Sequence, residues 1–312
     1  MYCCYYSRSL QRAVTDFGAD VSFGQAVEKM REHYGLEIPA CSIRKITEKH
    51  AKKITEFNPL KSEEAKVLIA EIDGGMVLIV EFGEKIKGID LRKTRKVCWK
   101  EAKLCFARDH RKIGRVYAAV IGTPEEAGAK LYECALRAGL EETTYVHALG
   151  DGAPWIVDQI ENRFGMQAHF LVDFFHMSEY LAEASHWCNA LDPQVWLEEN
   201  KVKMKTNEHE KVFCELKTRL EQIAKPSEEN GLVKCVRYME KRLKYMNYAD
   251  ALKKELPIGS GEIESSHRHV VQKRLKIAGA WWKTDNANAI LQLRTARANG
   301  YWRDYWNKKK VA

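Results

Sequence analysis

The chain has 312 residues, 45% of them apolar, which is enough for about two domains and a buried core. No apolar run reaches the roughly 18 to 20 residues that cross a bilayer, and Met1-Tyr-Cys-Cys-Tyr-Tyr6 meets arginines within a few residues, so a membrane or secreted protein is not expected and the cytoplasm is. The net charge of +8 is uneven: residues 259–312 hold eleven Lys or Arg against four Asp or Glu, which favours an anionic partner there, nucleic acid before others.

In chain order, the nine cysteines show no CxxC spacing and read as reduced core residues, with Cys3-Cys4 in a terminal segment. Ser22 caps a helix over 23–34, Gly35 stops it, and Pro39 opens a second helix to about Ile54. Helix, short turn, helix is the outline of a DNA reader, so residues 1–60 are expected to form a small basic helix-turn-helix-like segment. Arg44, Lys45, Lys49, Lys52 and Lys53 are its phosphate-contacting candidates, although two merely packed helices show the same outline.

From Val67 the pattern becomes strand-like. Residues 67–72 and 76–82 are β-branched apolar segments separated by Asp73-Gly-Gly75, and 99–106 adds a third, so three antiparallel strands in a row are expected. Residues 116–121 or 144–149 read as strand, 124–138 as helix stopped by Gly139, 155–164 as helix and 168–172 as strand, which makes 61–312 an α/β domain with a mixed sheet. Strand signals then vanish, and about 177–256 reads as an all-helical insertion. Val212, Phe213, Leu216, Leu220 and Ile223 form an amphipathic stripe within it, ended by Lys225-Pro226-Ser227. Helices over 262–277 and 284–299 follow, joined at Gly279-Ala-Trp-Trp282, and Lys308-Lys-Lys310 reads as a solvated tail.

Three acidic positions organise the chemistry. Asp73 and Asp151 each end an apolar strand, where functional groups of open α/β sheets gather, and Glu264 lies on the helix that follows the insertion. Taken singly, Asp73 before Gly-Gly is an ordinary turn residue and Asp151 a helix cap. Brought together, carboxylates repel by roughly 4 kcal/mol per pair at about 4 Å and an effective dielectric near 20, so such a cluster calls for a cation.

The ordered motifs Ile72-Asp-Gly-Gly75, Leu149-Gly-Asp-Gly-Ala153, Leu171-Val-Asp-Phe-Phe-His176 and Pro257-Ile-Gly-Ser-Gly-Glu-Ile-Glu-Ser265 are followed by Lys273-Arg-Leu275, Gly279, Trp282 and Leu291-Gln-Leu-Arg294. In this order they resemble bacterial insertion-sequence transposases of the DDE type, in the branch related to Mutator-like elements, over about Ile69 to the C-terminus. The resemblance implies a ribonuclease-H-like catalytic domain with a helical insertion, Mg2+ or Mn2+ as cofactor, double-stranded DNA (transposon ends and target) as partner, and a homo-oligomer on DNA. It implies Asp73, Asp151 and Glu264 as catalytic metal ligands, the last preferred to Glu262 because it precedes the small residue Ser265.

Glu262 and Glu264 point about 200° apart on a helix, so only one can face a given site. Asp173 and His176, in a D-x-x-H arrangement, are expected as supporting residues, or else as a helix cap and a packed ring. His267, Arg268, Lys273, Arg274, Lys276 and Trp282 are expected toward DNA, with Trp281 as the alternative stacking residue and the core as the alternative place for Trp282.

Competing readings are a ribonuclease-H-like nuclease that cuts without joining, and a non-catalytic DNA-binding descendant, the short N-terminal segment suggesting a copy truncated relative to longer relatives. An actin-like ATPase is disfavoured, since no second glycine-rich phosphate loop and no G-x-x-x-x-G-K-S/T stretch is present.

Overall fold

The structure, a computed structural model, describes residues 6–55, 62–84, 90–188, 192–223 and 227–307. Cys3, Cys4, Lys225, Pro226 and residues 308–310 lie outside them. The chain forms two compact units, the first of Met1–Ala65, Ile72–Glu141 and Glu262–Ala312, the second of Lys66–Glu71 and Glu142–Gly261. These cut across the expected boundary near residue 60.

The first unit begins with three helices where two were expected. α1 (Arg8–Asp20), capped by Ser7, precedes α2 (Phe23–Tyr34) and α3 (Ala40–Ile54). Ser22 and Gln25 close a reciprocal capping box on α2, and Gly35 ends it at φ 63°. α3 buries Ile43, Ile46, Thr47, His50, Ala51 and Ile54, one stripe at helical spacing. Val14, Ala26, Met30, Ile38, Ile43 and Ile46 form the core these three helices share.

The sheet has the order β3-β2-β1-β4-β5. Its strands are β1 (Val67–Phe82), β2 (Arg95–Asp109), β3 (Val116–Val120), β4 (Tyr145–Gly150) and β5 (Ala168–Val172). In the first unit β2 and β3 pair antiparallel, from Lys103↔Val120 to Ala107↔Val116. In the second, β4 pairs parallel with the start of β1, Val67↔Tyr145 to Glu71↔Leu149, and with β5, Val146↔Ala168 to Gly150↔Val172. Both 116–121 and 144–149, read as alternatives, are strands. α4 (Pro124–Ala138) packs on β2 and β3 and ends at Gly139, whose φ of 107° and closeness to the Glu63 carbonyl exclude any side chain.

The second unit continues through α5 (Pro154–Phe164), α6 (Phe174–Ser185), α7 (Pro193–Lys205), α8 (His209–Glu221), α9 (Gly231–Glu240) and α10 (Tyr248–Lys253), the helical stretch the sequence foretold. The chain then returns to the first unit as α11 (Gly261–His267), a π-helical turn (Arg268–Gln272), α12 (Lys273–Leu275), α13 (Thr284–Ala298) and α14 (Trp302–Asn307). One straight helix was expected over 262–277; the π turn interrupts it. Among the described residues no helix is long and apolar enough to cross a membrane.

Candidate functional site

Asp73 does not sit at a strand end. β1 runs unbroken through Asp73-Gly-Gly75, and the glycines serve close approach rather than a turn. A Cβ at Gly74 would stand 2.1 Å from Oε1 of Glu101, and one at Gly75 would stand 3.1 Å from the His267 ring. The Gly-Gly pair thus opens both flanks of β1 beside Asp73 to side chains from β2 and α11.

His267 is the contact between α11 and Asp73. Its Nε2 lies 3.2 Å from the Asp73 carbonyl, which can only accept, so Nε2 carries the proton and donates. The same nitrogen is 3.5 Å from Oδ2 of Asp73. Burial lowers the ring's pKa, and the Asp73 carboxylate opposes that only in part, so the imidazole is neutral near pH 7. Nδ1 is buried with no hydrogen-bond partner among the described residues.

Glu264, one helical turn before His267, is exposed, while Asp73 keeps a third of its side chain open. Glu262 is committed elsewhere. Arg108 donates to it through Nη2 (2.6 Å) and Nε (3.0 Å), and Arg115 through Nε (2.6 Å). Burial raises the Glu262 pKa, and the two guanidiniums overcome this and hold it below the ordinary value. Ser266 adds a second tie: its hydroxyl donates to the Glu262 carbonyl at 2.6 Å and lies 3.0 Å from the Tyr117 hydroxyl.

In the second unit Asp151 follows β4 directly. It does not cap α5, whose cap is Ala153; its Oδ1 accepts from the Ala153 amide at 2.8 Å. α9 and the residues after it fasten this loop, Tyr238 donating its hydroxyl to the Asp151 carbonyl (2.7 Å) and Arg242 its Nε to the Gly152 carbonyl (2.8 Å). Burial pushes the Tyr238 phenol well up, so it stays a donor.

Asp173 is buried and saturated. Oδ1 accepts from the Phe175 and His176 amides (2.6 and 2.9 Å) and caps α6, while Oδ2 accepts from the amide and hydroxyl of Ser260 (2.6 and 2.5 Å). A cap bridging β5 to the Pro257–Gly261 turn leaves this carboxylate a structural tie. His176 packs against Tyr180 and Tyr238, with Glu179 3.4 Å away.

Of the residues expected toward DNA, Arg44, Lys45, Lys52, Lys53, Arg268, Lys273 and Lys276 are exposed, Lys273 within 3.3 Å of Asp20, and Lys49 is half-buried. Three are buried. His267 is buried as described. Arg274 donates to the Gly18 carbonyl at 3.1 Å and lies over the Phe23 and Trp282 rings, and burial brings its pKa down to about 10. Trp282 is buried, its indole N–H donating to the Leu275 carbonyl at 3.0 Å and its backbone bridging to β1 at Ile79. Packing within the first unit claims these three. Trp281, by contrast, is 46% exposed.

Sequence reading missed Arg108, Arg115, Glu101, Tyr238, Arg242 and Ser260, because each acts on a partner distant along the chain. Among the described residues no group of three or more His, Cys, Asp or Glu gathers closely enough to hold an ion by itself.

Residues 137–310 match the model of UPF0236, an uncharacterised protein family, over more than half of the chain. The chain belongs to that family. Within UPF0236 the matched stretch takes in Asp151, Asp173, Glu262, Glu264 and His267, and begins after Asp73. No curated protein matches the chain.

Proposed function

We propose that this UPF0236 member is a DNA transposase of the DDE type, using Asp73, Asp151 and Glu264 to cut and join DNA ends on a ribonuclease-H-like domain. The observation that carries the reading is the sheet: order β3-β2-β1-β4-β5, antiparallel β2 and β3, parallel β1, β4 and β5, the arrangement expected of a ribonuclease-H-like fold. The positions of the acids along the chain support the assignment. Asp73 is two residues beyond Glu71 on β1, Asp151 two beyond Leu149 on β4, and Glu71↔Leu149 is the last paired position of those strands. Glu264 lies on the helix after the helical stretch.

The donor chemistry fits a hard divalent ion. Magnesium is usually held by one or two carboxylates completed by water and substrate phosphates rather than by a cage of protein ligands, so three acids with substrate phosphates would suffice. Two such ions, when bound with DNA, would activate the attacking oxygen and stabilise the leaving one. Asp73, Asp151 and Glu264 are the residues that would hold the ions. His267 holds the Asp73 backbone as a neutral donor, adding no charge that would compete for the carboxylate. In cleavage a water oxygen bonds to phosphorus as the P–O3′ bond breaks, a proton passing from the water to the departing 3′ oxygen; in joining, that 3′ hydroxyl bonds to a target phosphorus and gives up its proton as the target's own P–O3′ bond breaks and its 3′ oxygen leaves as a hydroxyl.

The test is magnesium-dependent cleavage and strand transfer on DNA carrying the element's own end. Asp73→Asn, Asp151→Asn and Glu264→Gln are each expected to lower the rate by at least about a thousandfold with folding intact. Wild-type cutting without joining would instead identify a nuclease, and binding without cutting a non-catalytic descendant.

A further inference from the structure

Leu91-Arg-Lys-Thr-Arg-Lys-Val-Cys-Trp-Lys100 holds five Lys or Arg and no Asp or Glu. It leads into and forms the first part of β2, and there the strand is open: Arg95 and Lys96 are exposed, Val97 is 45% and Trp99 61% exposed, whereas Ala102 to Ala107 are buried. A large indole left open on a strand marks a surface that meets something.

Side chains alternate along a strand, so Arg95, Val97, Trp99 and Glu101 share one face of β2. At one end of that face the Arg95 guanidinium lies 4.1 Å above the Trp281 ring, itself half exposed. At the other, Glu101 lies against Gly74, adjacent to Asp73. An exposed row of cation, aliphatic and indole side chains therefore lines this face of β2 within the first unit, while the Asp73 side chain, with Gly75 and His267, lies on the opposite face of β1.

The charge on this surface is not neutralised. Arg92 pairs with Asp90 and Lys100 with Glu81, each at 2.6 Å, but Lys93, Arg95 and Lys96 make no ion pair among the described residues. A protein partner with an apolar face would leave these cations unmatched, whereas a phosphate backbone matches them and also accepts indole stacking.

We propose that the Arg95–Val97–Trp99 face of β2, with Trp281, docks duplex DNA, a surface that deepens the transposase reading above without forming part of its acidic site. Fluorescence anisotropy of the full chain with a duplex of about 30 base pairs, from about 50 to 200 mM salt, tests it. Arg95→Glu/Lys96→Glu is expected to weaken binding at least about tenfold and to lower the salt slope by about two, in line with two lost phosphate contacts. Trp99→Ala weakens binding as well and Trp99→Phe restores part of it, with circular dichroism and melting temperature unchanged in every variant.

Unaltered affinity in all three variants overturns the proposal, as does a changed sedimentation coefficient with unaltered affinity, which would give the face to a second copy of the chain. Weakened binding in the variants, beside a wild type that binds duplex but shows no cleavage, sinks the transposase reading and leaves the docking face standing. Cleavage with unaltered binding does the reverse. A wild type that binds no duplex sinks both.

Discussion

Glu262 and Glu264 stand two residues apart and have opposite surroundings. Arg108 and Arg115 enclose the first, with Arg108 itself mostly buried; the second faces water. Removing one member of a part-buried ion pair strands the other's charge, so Glu262→Gln is expected to cost about 2 to 3 kcal/mol of stability in urea unfolding and to lower cleavage only through loosening of α11. Glu264→Gln should do the opposite, leaving stability within about 1 kcal/mol and removing cleavage. Loss of cleavage in the first variant at full stability would exchange the two roles. The choice of Glu264 could be argued from sequence by helical geometry and resemblance, but its physical reason could not. Arg108 and Arg115 lie 154 and 147 residues from Glu262, beyond any local pattern. Asp173 shows the other side of this: its cap on α6 was readable from its place before a helix, while the Ser260 bonds that saturate it needed the fold.

At the scale of elements, what local chemistry dictates was readable. Ser22 and Gly35 delimit α2, and Gly139 ends α4 where its positive φ requires it, because caps act within four residues. The break expected at Asp73-Gly-Gly75 failed for a tertiary reason. A glycine pair signals a turn in isolation, yet here it makes room for Glu101 and His267 across an unbroken strand. α1 escaped because no glycine or proline closes it, though Ser7 caps it. The packing of α1, α3 and α14 carries its own pH dependence. His50 donates from Nε2 to Gln11 (2.9 Å) and takes the Tyr305 hydroxyl on Nδ1 (2.7 Å), and burial, ahead of the nearby Lys49, Lys53 and Arg8, depresses its pKa from 6.5 to about 4. Because the folded value is the lower one, protons bind the unfolded chain more readily. The contribution is complete above pH 6.5 and fades as pH falls toward 4, by up to about 3 kcal/mol. Chemical denaturation across that window should show this slope in the wild type and a flatter one in His50→Gln; parallel curves would mean that the ring titrates normally.

At the scale of the whole molecule, the helical segment expected to stand alone as a DNA reader belongs to a unit assembled from three stretches of chain. Asp20 is bound by Arg294, Arg297 and Lys273, Asp16 by Arg297, and Arg8 donates to the carbonyls of Tyr305 and Trp306. Residues 6–55 made alone are therefore expected to show weak helicity and no cooperative thermal transition by circular dichroism, despite their apolar core. A sharp, reversible transition would restore them as an autonomous domain. Periodicity foretold an α/β chain, and charge a basic C-terminal part. They could not foretell that much of this charge serves internal ties, since Arg274, Arg294 and Arg297 are spent on the fold rather than on a partner.

The His267–Asp73 contact spans 194 residues. A ribosome must release the 194 residues that separate them before β1 meets α11, so a nascent chain carries Asp73 without the imidazole that steadies it. Contacts this far apart make for slow closure. On the proposed transposase reading, cleavage would stay off until α11 has emerged and docked on β1.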